Sequence, residues 1–80
     1  MKVHIQIVSP KGTLYEGDPL YAVFPGKEGE FAVYPDHASI ISSLKSGVVR
    51  CIVDEKNEET IEVNGGFMAV DKNVITVCIE

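Results

Sequence analysis

Turn signals punctuate this chain at intervals of about 8 to 12 residues, a spacing that leaves room for short strands and little else. Ser9-Pro10, Gly17-Asp18-Pro19, Pro25-Gly26, Tyr34-Pro35-Asp36, Lys45-Ser46-Gly47, Asn64-Gly65-Gly66 and Asp71-Lys72-Asn73 mark the breaks. Between them, Val3, Ile5 and Ile7 alternate with His4 and Gln6, the period-two pattern of a strand with one buried face. Leu20 to Phe24, LYAVF, is continuously apolar or aromatic and reads as a strand covered on both sides or lying between two sheets. Val and Ile together number 19 against 7 for Leu plus Ala, and β-branched side chains suit a pleated surface better than a helix. The expectation is an all-β fold, a small antiparallel β-sandwich of two packed sheets with about ten short strands. It forms one domain over residues 1–80, with no linker or repeat.

The remaining segments follow the same logic. Thr13 to Glu16, Glu30 to Val33, Val48 to Val53 and Thr60 to Val63 read as strands, and Phe67 to Val70 pairs with Val74 to Ile79 as a hairpin. Ala38 to Leu44, ASIISSL, fits a short helix or a strand and leans to strand, because three serines and two isoleucines are poor helix material. Asp54 to Glu59, DEKNEE, is a solvated hairpin loop.

Charge narrows the function. Twelve acidic against seven basic residues give a net charge of −5, with Arg50 the only guanidinium, so the basic patch that nucleic acid needs is missing. No apolar run approaches the roughly 18 to 20 residues of a membrane span. The N-terminus does not read as a signal peptide, since the apolar run after Lys2 is broken by His4 and Gln6, and the protein is expected to stay where it is made. Cys51 and Cys78 lie in apolar runs without metal-type spacing, as buried structural thiols in a reducing compartment do. Arg50, in an otherwise apolar strand, calls for an acidic partner, within the domain or on a binding partner, and the internal pairing is favoured.

The stretch Gly29 to Val49, GEFAVYPDHASIISSLKSGVV, stands apart as a shaped loop with a proline-fixed bend at Pro35 and a histidine, His37. Asp36 is expected to bond its own backbone two residues on and so tighten the bend. Loops held by a rigid scaffold are where contact and chemistry concentrate. Catalysis at His37 would need convergent partners, and Asp36 and Glu30 are scattered carboxylates. His4 falls on the outward side of its strand and reads as a surface residue. Ile40 and Ile41 have opposite parity, so at least one is expected to be exposed.

Taken with VNGGFMAVDKNVITV near the end, the segment GEFAVYPDHASIISSLKSGVVR resembles the N-terminal β-sandwich domain of the epsilon subunit of F-type ATP synthase. Gly29, Glu30, Phe31, Val33, Pro35, His37, Ala38, Lys45, Gly47 and Arg50 carry the first match; Gly65, Gly66, Phe67, Val70, Asn73, Val74, Thr76 and Val77 carry the second. The opening HIQIVSPKGTLYEG also resembles the family's start. Asp36 stands where the family usually has glycine, and Ser39 where it usually has proline. Most epsilon subunits continue into a C-terminal pair of helices; this chain is expected to be a short form with its sandwich complete, the last strand being present.

The resemblance implies a non-catalytic rotor subunit of the central stalk, without cofactor or metal. It would bind the gamma subunit and the c-ring of a proton-translocating synthase and couple rotation to ATP synthesis. It would lie on the cytoplasmic face of the bacterial inner membrane, peripheral to it through the complex. Glu30, Tyr34, Asp36, His37, Ala38, Ile40 and Ile41 would form the partner interface. The main alternative is a lipoyl- or biotinyl-like carrier domain modified at Lys72, which sits at an expected hairpin tip. A small β-barrel enzyme using His4 and His37 is a third, supported by no recognisable spacing.

Overall fold

Alternation at the N-terminus builds the first ladder. In the computed structural model, which describes residues 1–80, β1 (His4–Ser9) buries Ile5 and Ile7 and pairs antiparallel with β2 (Gly12–Gly17) across the Pro10-Lys11 turn. β3 (Tyr21–Gly26) and β4 (Gly29–Val33) form a second hairpin, and β3 is buried from Ala22 to Gly26, as its continuous apolar run requires. β5 (Ile40–Ile52), β6 (Glu58–Asp71) and β7 (Val74–Ile79) follow as an antiparallel meander. Ala38 to Leu44 is therefore resolved as strand from Ile40 onward.

The strands join in the order β2-β1-β7-β6-β5-β3-β4. One neighbouring pair departs from the antiparallel expectation: β1 and β7 run parallel, His4 beside Val74 and Val8 beside Cys78. Parallel neighbours need a long crossover, and here everything from β2 to β6 supplies it.

There are seven continuous strands where about ten short ones were expected, because two of the anticipated turns are not reversals. Lys45-Ser46-Gly47 lies inside β5 and Asn64-Gly65-Gly66 inside β6, and the two strands keep one register from Ile40 opposite Val70 to Ile52 opposite Glu58. What changes there is the facing. In β5 the inward side chain is Leu44 before this point, and Val49 and Cys51 after it; in β6, Val63 is buried on one side, and Met68 and Val70 on the other. Both strands switch parity together and the sheet turns a corner. Gly65 and Gly66 have φ of +118° and +137°, and a Cβ at Gly66 would run into the Cys78 carbonyl. Only glycine suits such a backbone.

The corner makes a sandwich from one sheet. The first part of β5 and the last part of β6 lie with β7, β1 and β2, while their other parts lie with β3 and β4. The two layers close on one core, in which Phe24, Ile5, Ile7, Leu44, Met68 and Ile75 are fully buried. Phe24 stacks on Phe31 with ring centres 5.6 Å apart. Cys51 belongs to this core and Cys78 is half-buried; both are free thiols.

Candidate functional site

The bend after β4 starts from Tyr34, which the following proline keeps extended, and whose ring stacks on Tyr21 at 4.5 Å. Asp36 then takes φ of +66°, the left-handed conformation that costs glycine nothing and that Asp and Asn tolerate best among the others. Its partner is not its own backbone, as the sequence suggests. The Asp36 N–H donates to Asn73 Oδ1 at 2.6 Å, and the Asn73 side-chain amide returns a bond to Asp36 Oδ1 at 3.3 Å. Ser39 Oγ donates to Asp71 Oδ1 at 2.9 Å. His37, half-buried between them, donates from Nδ1 to the Ala38 carbonyl at 2.7 Å.

Both anchors sit at the β6–β7 hairpin. Asp71 and Val74 close it and Lys72 and Asn73 form a two-residue loop, with φ of +50° and +65°. That is the primed turn whose twist matches the flanking strands.

Beside the bend lies the outer face of the larger layer. Directly paired residues share a face, which sets Ile41 next to Ala69, Thr76 and Gln6, and Ser43 next to Phe67, Cys78 and Val8. Ile41 is 80% exposed and Phe67 52% exposed, while Ile40 packs partly against the core. The exposed isoleucine expected from the sequence is thus Ile41. Ser39, Ile40, Ile41, Ala69, Val70 and Asp71 line an open depression of about 480 Å³.

Of the seven interface candidates, Tyr34, Asp36, His37, Ala38, Ile40 and Ile41 run through the bend into the start of β5. Glu30 stands apart. It is exposed opposite Pro25, at the hairpin end of β4, while the bend leaves the other end. Four residues of extended chain, about 13 Å, separate it from Tyr34. Phe67 and Val74 escaped the sequence reading as surface residues; the available signal was that Phe67-Met68-Ala69-Val70 is apolar on both parities.

His4 has more structure around it than an isolated surface residue. Its Nδ1 lies 2.8 Å from Asp18 Oδ1 and its Nε2 3.0 Å from Glu16 Oε2, and these bonds, Asp18 first, raise its pKa above 6.5. Arg50 pairs internally, its Nε 3.2 Å from Glu58 Oε2. No three His, Cys, Asp or Glu side chains converge as a metal site would require. No helix is long and apolar enough to cross a membrane.

An exposed apolar sheet face thus lies beside a hydrogen-bonded bend on a small β-sandwich, with each histidine engaged in local bonds. The chain belongs to the family of the ATP synthase delta/epsilon chain β-sandwich domain, whose model matches residues 2–80. It is 41% identical over 76 residues to the ATP synthase epsilon chain of Nitratiruptor sp. and 38% identical over 76 residues to that of Campylobacter curvus, covering 95% of this chain in both. The chain spans 59% of the length of these curated relatives.

Among solved structures, it superposes on a chain of the Euglena gracilis mitochondrial ATP synthase, OSCP/F1/c-ring, with a TM-score of 0.89 at 15% identity, covering 98% of this chain and 50% of that one. A chain of the Tetrahymena thermophila mitochondrial ATP synthase central stalk/c-ring gives 0.80 at 12% identity, covering 99% and 63%. These likenesses are of fold. The carrier alternative at Lys72 is not supported: Lys72 does occupy a hairpin tip, but the family matched over the whole chain is that of the synthase subunit.

Proposed function

We propose that this chain is a non-catalytic subunit of the central stalk of a proton-translocating F-type ATP synthase, binding the gamma subunit and the c-ring so that rotation is coupled to ATP synthesis. The observation that carries the reading is the exposed apolar face around Ile41 and Phe67, next to a hydrogen-bonded bend, in a chain of this family. A face of this kind in a small soluble-type domain marks a protein contact.

Two contacts are assigned. Tyr34, Asp36, His37, Ala38, Ile40 and Ile41 face gamma, where apolar burial supplies affinity. Glu30, exposed at the far end of β4 beside Lys27 and Glu28, meets the polar loops of the c-ring. The domain then sits on the cytoplasmic side of the bacterial inner membrane, peripheral to it through its partners. Titration of the purified chain against the cognate gamma subunit tests the reading. A complex at micromolar concentration or tighter is expected, and its absence sinks the proposal.

A further inference from the structure

Two polar residues, Asp36 and Ser39, stand in the bend, and Asp36 takes a positive φ of +66°. Glycine and proline would set a bend through the backbone alone, the one by permitting positive φ and the other by fixing its own φ. In this chain the two positions carry polar side chains instead, and both residues bond to the same hairpin, Asp36 most closely through its backbone N–H. Asp36 exchanges bonds with Asn73 at 2.6 and 3.3 Å, and Ser39 donates to Asp71 at 2.9 Å. Asn73 is itself held, because its carbonyl accepts the His4 N–H at 2.8 Å and its φ of +65° belongs to the tight turn.

We propose that Asn73 and Asp71 are positioning residues that hold the His37 bend in its partner-binding shape through Asp36 and Ser39. The proposal rests on the docking reading above. In this chain the order of the loop comes from the hairpin, across more than 30 residues of sequence. A loop ordered beforehand loses less entropy on docking.

The test uses the full chain with Asn73→Gly, Ser39→Ala and the double variant Asp36→Gly/Asn73→Gly. Glycine at position 73 keeps the positive φ of the turn, so the unfolding midpoint should hold while the side-chain bonds vanish. Asn73→Gly is expected to speed hydrogen exchange at the Asp36 amide, and dissociation of the cognate gamma subunit, each by about five- to tenfold. Ser39→Ala should give a smaller change in the same direction. Adding Asp36→Gly should recover at least half of the binding loss, since glycine accepts the left-handed backbone unaided. Unchanged exchange at Asp36 overturns the clamp, and faster exchange with unchanged gamma dissociation overturns its positioning role. Should the unaltered chain bind no gamma at all, the docking reading and with it the positioning role fall, while the exchange data still decide whether the clamp exists.

Discussion

His4 and Asp18 lie across the first hairpin from one another, Nδ1 to Oδ1 at 2.8 Å, with Glu16 closing on the other ring nitrogen at 3.0 Å. Because these carboxylates favour the charged ring, the folded pKa is raised above 6.5. The stabilisation is then fully present below pH 6.5 and fades as the pH rises through the folded value. Urea unfolding followed from pH 6 to pH 9 should show the native chain losing stability relative to His4→Gln over that window. The difference should shrink in about 1 M salt, since the cluster is exposed and screened.

Ile41→Asp should leave the free protein nearly unaffected and damage docking. The side chain is 80% exposed, so its replacement falls in the surface class worth within about 0.5 kcal/mol of stability. Burying a side chain of this size against a partner contributes about 1.5 to 3 kcal/mol. Loss of affinity for gamma by at least about tenfold is expected, read by calorimetry alongside an unchanged melting curve.

Gly66→Ala should be costly where a surface glycine would not be. The φ of +137° excludes an L side chain, and the added Cβ would strike the Cys78 carbonyl in β7. A loss of at least about 1 to 3 kcal/mol is expected by urea unfolding. Gly12, also at positive φ but in open space, is the matched control and should lose less on the same change.

The two cysteines should separate by reactivity. Burial pushes the Cys51 thiol up to about 11, so little thiolate is available at pH 8 and the group is shielded in the core. Cys78 is half-buried in the outer row beside Phe67. Thiol-specific labelling under native conditions should modify Cys78 first, as mass analysis of the peptides would show. Bound gamma should slow that labelling.

Most of the strands were legible in the sequence, since period-two alternation at Val3 to Ile7 and the apolar run at Leu20 to Phe24 act locally. The corner was not. Gly65-Gly66 signals positive φ equally for a reversal and for a kink inside a continuous strand, and only the ladder of β5 against β6 distinguishes them. The stretch from Tyr34 to Ile41 was legible as a bend and an apolar run, whereas its brace was not, because Asp36 and Asn73 meet only once seven strands are assembled. Phe67 was hidden for a related reason: in a strand apolar on both parities, sequence does not say which face lacks a cover.

The parallel pairing of β1 with β7 also bears on how the molecule comes into being. β1 gains its inner neighbour only when β7, about 65 residues further along (Ser9 to Val74), has been synthesised, with β2 alone on its other flank until then. Such non-local pairing slows folding to about the millisecond-to-second range. During translation β1 must therefore wait, with one flank unpaired, for β7 to emerge, and in that interval its open edge is most exposed to pairing with another chain.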